Sequence, residues 1–144
     1  WLAVALKTAN IPAKAIILQF SESDASSYLT HAKLFCDTMQ NMNVRCSIKQ
    51  FGCSLDPFKT LAHLDIYMVK IDGSFATDIQ QKNEKADTLK ELIQKLNEVR
   101  KSSIVPLVEN ATLLATLWQS GAHYIQGNYV QAPSEKMDFV FSDE

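Results

Sequence analysis

No stretch of this chain approaches the roughly 20 consecutive apolar residues needed to cross a bilayer, and its opening lacks the basic segment and cleavage pattern of a secretory leader. A cytoplasmic protein without direct membrane insertion is the expectation. Cysteine is scarce and odd in number: Cys36, Cys46 and Cys53 include no C-x-x-C pair, which argues against both a disulfide framework and a zinc site and favours reduced, mostly buried thiols. His31, His63 and His123 share no metal-ligand spacing. Ser74 follows Gly73 but lacks the flanking residues of a nucleophile elbow, so it is set aside as a nucleophile. Charge of one sign is lacking too. A formal net charge of −2 provides no global attraction to nucleic acid or anionic lipid, although a local basic mouth can still hold phosphates. No fixed-period repeat, low-complexity tract or shift in composition divides the chain.

What is present is an ordinary globular composition, 47% hydrophobic and 21% charged over 144 residues, enough for one core. Strand-like and helix-like segments alternate. Strands are expected at Ala15–Phe20, Val44–Gln50, Met68–Ile71, Ile104–Val108 and His123–Ile125. Between them, Ser23 or Asp24 can cap a helix running to Met39, and Asp56-Pro57 can start a short one. A long amphipathic helix spans Asn83 to Lys101, with Leu89, Leu92, Ile93, Leu96 and Val99 on one face. Another runs from Ala111 to Gln119 and stops at Ser120-Gly121. Continuous apolar strands alternating with helices argue for parallel pairing, and pattern alone leaves a doubly wound sheet and part of a barrel level. The opening Trp1-Leu2-Ala3-Val4 reads like the middle of a helix, which suggests a piece of a longer chain.

The most informative run is Tyr67-Met68-Val69-Lys70-Ile71-Asp72-Gly73-Ser74-Phe75, a buried strand that ends by delivering a lysine and an aspartate to a loop. Such a lysine suits the catalytic mouth of a β/α barrel, where side chains from several strand ends converge. The plainer alternative is a salt bridge between Lys70 and Asp72.

Further segments fall into the same order: Gln50-Phe51-Gly52 upstream, then Ile104-Val105-Pro106-Leu107-Val108-Glu109-Asn110-Ala111, Leu114-Ala115-Thr116-Leu117-Trp118-Gln119 and Tyr124-Ile125-Gln126-Gly127-Asn128-Tyr129. Together with the lysine run, they resemble the EAL domain, the bacterial cyclic-di-GMP phosphodiesterase barrel, and within it the degenerate, FimX-type branch linked to type IV pili and twitching motility. The resemblance covers nearly the whole chain, 1–144, but only the C-terminal part of the family's domain. It implies an α/β, TIM-barrel-like fold present as an incomplete barrel of the later strands. The motif that names the family, and an asparagine that helps hold metal, belong to earlier strands outside these residues.

The resemblance also implies a role for each matched position. The family's metal-binding glutamate falls on Gln19, its Asp-Asp pair on Lys49-Gln50, and a catalytic-side glutamate on Pro106. Hard divalent cations require carboxylate oxygen, so these replacements oppose Mg²⁺ binding and leave no metal and no catalytic residue to assign. Glu22, which in the family steadies the loop after the metal aspartates, is retained, as are the ligand-binding candidates Lys70, Asp72, Glu109 and Gln126. Lys70 is a compact cation suited to a phosphate oxygen, and Gln126 can hydrogen-bond phosphate or base. Lys49 can add positive potential where metal would otherwise sit. Asn110 is expected to cap the helix that follows it.

The expected function is a catalytically inactive EAL-type receptor or signalling module for cyclic-di-GMP, needing no Mg²⁺ and acting through a protein effector such as a PilZ-type adaptor. A nucleotide-independent scaffold is the alternative, and an active phosphodiesterase is disfavoured by the lost carboxylates. Five strand units fall short of a barrel that usually takes about 250 residues, so self-association or pairing with the missing barrel half is also expected.

Overall fold

The computed structural model describes residues 1–80 and 86–136. Five strands, β1 (Ile17–Ser21), β2 (Arg45–Phe51), β3 (Met68–Ile71), β4 (Ser102–Val105) and β5 (Tyr124–Ile125), make one parallel sheet in that spatial order. The α-helices among the described residues are α1 (Leu2–Thr8), α2 (Glu22–Ser27), α3 (Leu29–Asn41), α4 (Pro57–Ala62), α5 (Gly73–Gln80), α6 (Ala86–Glu98) and α7 (Ala111–Gln119), and a 3-10 turn at Ala13–Ala15 precedes β1. A doubly wound sheet reverses its strand order at a switch point and so places helices on both faces. This sheet never reverses. Successive crossovers of one hand then stack every helix on the same face, as in a (β/α) barrel.

The two faces differ accordingly. Cys46, Ile48, Val69, Ile71 and Val105 are buried on one face beneath the helices, where they meet Leu89, Ile93 and Leu96 of α6 and Leu113 and Leu117 of α7 in a single core. The register pairs Gln19 with Ser47, Ser47 with Met68, Met68 with Ser102, and Ile104 with Tyr124, which places these residues on the opposite face. That face lies open at its outer strands in the described chain, with Ile17 and Tyr124 39% and 50% exposed, while Ser47 on β2 is buried. Apolar burial is worth about 25 cal/mol per Å², so the helix-covered face supplies most of the stabilisation.

Local differences from the sequence reading have physical causes. The helix expected from a Ser23 or Asp24 cap begins earlier, because the Ser21 hydroxyl accepts from the Asp24 N–H at 3.1 Å, and it breaks at Tyr28 into α2 and α3. Helix α5 lies where a loop was expected after Asp72. Its start at a glycine hides it from propensity, but the Asp72 carboxylate accepts from the Ser74 N–H at 3.0 Å and caps it. For the long amphipathic helix, residues 83–85 of the expected span lie outside the described residues. Its apolar stripe is buried as expected at Leu89, Leu92, Ile93 and Leu96, whereas Val99 is 48% exposed because α6 ends at Glu98. Pro106 has no N–H to offer, and β4 ends at Val105 rather than Val108. The Asn110 carboxamide caps α7, accepting from the Leu113 N–H at 2.8 Å.

All three cysteines are free, with Cys36 and Cys46 buried and Cys53 exposed. Burial, reinforced by neighbouring Cys46, pushes the Cys36 thiol up to about 12. A thiol so held is inert toward electrophiles at neutral pH.

Candidate functional site

The C-terminal ends of parallel strands collect side chains from sequentially distant segments, and here they define a mouth. Glu22 anchors it. This carboxylate is 2% exposed, and its Oε2 accepts from the Gly52 N–H at 2.8 Å and the Cys53 N–H at 3.1 Å, while Oε1 accepts from the Ser54 hydroxyl. A buried carboxylate is tolerated when its lone pairs are filled in this way. Glu22 thereby ties the start of α2 to the loop that follows β2.

Strand β2 is irregular where it reaches the mouth. Its register with β3 holds at Ile48 opposite Val69, then shifts before Phe51 meets Ile71, and Gln50 sits inside the shift with φ 56°. This left-handed residue is a bulge that breaks side-chain alternation, so Lys49 and Gln50 are both exposed. Simple strand periodicity would have buried one of them.

One step beyond the paired Ile48 and Val69, Lys49 and Lys70 stand on adjacent strands at the open face of the sheet. The salt bridge considered between Lys70 and Asp72 does not form. The described ion pairs are Lys33–Asp37 and Lys90–Asp87, so both mouth lysines lack an acidic partner among the described residues. Two uncompensated like charges held at neighbouring strand ends favour an anion between them.

The other candidates are distributed around this pair. A hollow of about 380 Å³ brings together Glu22, Gln50 and Asp72 with Ser23, Ser26, Cys53 and Ser54, and does not include Lys70. Cys53 and the serines were missed in the sequence because no motif marks them. Although Cys53 is exposed as a residue, partial desolvation of its thiol in the hollow, and then the charges of Asp72 and Glu22 beside it, push that thiol up. Gln19 lies lower on the open face and donates from Nε2 to the Ser47 hydroxyl at 3.1 Å. Glu109 accepts two long contacts from Asn128 Nδ2, at 3.4 and 3.5 Å, across the loops after β4 and β5.

Backbone bonds hold those last two loops in register: Gln126 N–H donates to Val105 O at 2.9 Å, and Val108 N–H donates to Gln126 O at 3.0 Å. The Gln126 side chain is left exposed to the mouth's surroundings. Gly127 is required where it stands, since a Cβ there would lie 2.1 Å from the Val108 carbonyl oxygen.

Among the described residues no three His, Cys, Asp or Glu side chains gather to hold a metal ion. At the mouth, Lys49 contributes an ammonium and Gln50 an amide, Asp72 caps α5, the Glu22 oxygens accept from the loop after β2, and Glu109 meets Asn128. What the mouth offers instead is positive charge and amide hydrogen-bonding capacity.

The sequence pattern of the EAL domain matches residues 1–133. The crystal structure of the FimX EAL domain from Pseudomonas aeruginosa bound to c-di-GMP superposes with a TM-score of 0.93 at 51% identity, covering 99% of this chain and 58% of that one. Among curated proteins, the signalling protein YkoW of Bacillus subtilis is 26% identical over 124 residues, covering 86% of this chain and 16% of its own length. The probable cyclic di-GMP phosphodiesterase PdeA of Escherichia coli is 25% identical over 132 residues, covering 92% of this chain and 18% of its own. The chain thus spans little more than half of the solved domain and less than a fifth of these curated relatives.

Proposed function

The chain belongs to the EAL domain family, and from that premise we propose that it forms part of a receptor that binds cyclic-di-GMP without metal and does not hydrolyse it. The unpaired Lys49 and Lys70 at adjacent strand ends carry this reading, since they present two cations to a ligand with two phosphodiester charges. The FimX EAL structure, at 51% identity and bound to this nucleotide, supports the choice of ligand. Gln126 and Glu109, on the neighbouring loops after β5 and β4, are assigned to the ligand's polar edges in this reading. Asp72 and Glu22 hold α5 and the loop after β2 in place behind them.

Isothermal calorimetry on the intact protein tests the proposal. Lys70→Ala is expected to weaken cyclic-di-GMP binding about 10- to 100-fold, the loss of one charge-assisted contact of about 1.5–3 kcal/mol. EDTA is expected to leave the affinity of the unmodified protein unchanged. An unaltered affinity in the variant removes Lys70 from the site. A complete absence of heat with cyclic-di-GMP favours a nucleotide-independent scaffold instead.

Hydrolysis should be absent in Mg²⁺ or Mn²⁺, and Lys49→Asp alone should not restore it. A metal cluster acts as a unit, and one added carboxylate leaves Gln19, Gln50 and Pro106 in place. Linear product accumulating with purified protein is the outcome that contradicts this assignment.

Nucleotide occupancy can act on a partner only through differential affinity for two states of the protein. In the setting implied by the FimX-type likeness, that partner is a PilZ-type adaptor of the cytoplasmic type IV pilus machinery. The open sheet face and the outer edges of β1 and β5 are completed either by further barrel strands or by a second copy.

A further inference from the structure

At the end of the sheet opposite the mouth, a cavity of about 530 Å³ opens among the segments that enter β2, β3 and β4. Its lining includes four cations, Lys14, Arg45, Arg100 and Lys101, against one acid, Asp65. Two of the four are held in place. The Arg45 guanidinium lies 4.2 Å from the centroid of the Tyr67 ring, and Lys101 Nζ donates to the Ile66 carbonyl at 2.8 Å. Arg100 sits at a left-handed turn after α6, with φ 57°, which sets its position at the rim. Neither described ion pair involves any of these five residues, so the cluster is not neutralised among the described residues.

Cations near a helix C-terminus complement its dipole, which accounts for Arg100 and Lys101 taken singly. It does not account for Lys14 and Arg45, which come from other segments and converge on the same hollow. The volume lies within the range of small-molecule sites, and a concave lining with four cations to one acid concentrates anions. We propose that this cavity is a second anion site, distinct from the mouth, for a small ligand bearing two or more phosphate charges. It stands independently of the proposed activity of the mouth.

Pyrophosphate is the probe, titrated calorimetrically into the intact protein at low and at physiological salt. Saturable binding is expected, weaker at the higher salt. Arg100→Gln should reduce affinity about tenfold, while Lys33→Gln on the outer face of α3 should leave it within threefold. Arg45→Gln also removes the stack on Tyr67, so Arg100→Gln, at an exposed position, carries the decision. Absence of saturable binding, or an Arg100→Gln affinity within threefold of the unmodified protein, overturns the proposal. An equal loss on Lys33→Gln overturns it by reducing the effect to diffuse charge.

Discussion

Glu22→Ala is expected to destabilise the protein by about 3 kcal/mol, measured by denaturant unfolding, because it strands two backbone donors and a hydroxyl that share one buried carboxylate. Amide exchange at Gly52 and Cys53 should accelerate in the same variant, since the loop after β2 loses its only described side-chain tether to α2. Glu22→Gln offers an internal control. A carboxamide can turn its oxygen toward the two N–H groups and its amino group toward Ser54, so a cost of about 1 kcal/mol is expected. Equal losses in the two variants would mean that charge rather than hydrogen-bond geometry stabilises the loop.

Gly127→Ala should be at least as damaging, on the order of 3–5 kcal/mol, because the added methyl would stand 2.1, 2.4 and 2.6 Å from the Val108 carbonyl oxygen, nitrogen and carbon. These are backbone atoms, and no rotamer change relieves the overlap. The loops after β4 and β5 must separate, carrying Glu109 and Gln126 apart. Gly73→Ala is the comparison: its Cβ would meet Leu107 Cδ1 at 2.7 Å, the far end of a flexible side chain, so a smaller loss is expected. Thermal unfolding of the two variants side by side checks the order, and a milder effect at Gly127 would contradict the close approach.

How far the sequence could be read follows from what each element depends on. Strands β2, β3 and β4 and helices α6 and α7 were visible because apolar periodicity reports burial directly, and burial decides those segments. The Asn110 cap was visible because it needs only a side chain three residues before a free N–H. Gln50 was read as an ordinary strand residue, since nothing in Lys49-Gln50-Phe51 announces a left-handed conformation; the bulge is imposed by the neighbouring strand's register. Helix α5 was hidden for a related reason, its cap residue having been read as half of an ion pair. Cations entering the lower cavity come from three segments spread from Lys14 to Lys101, and no local window contains their convergence.

The strand order carries one more consequence, for how the chain acquires its shape. Each strand's neighbour in space is its neighbour in sequence, so no pairing must wait for a segment synthesised much later. Assembly can proceed by accretion, with every new βα unit docking on the edge left by the last one, and the entropy of loop closure is met in small instalments rather than in one long search. The topology therefore favours folding in the direction of translation. It also makes the most recently added strand the exposed, sticky one at each stage, and β3 the strand whose failure would cut the growing sheet in two.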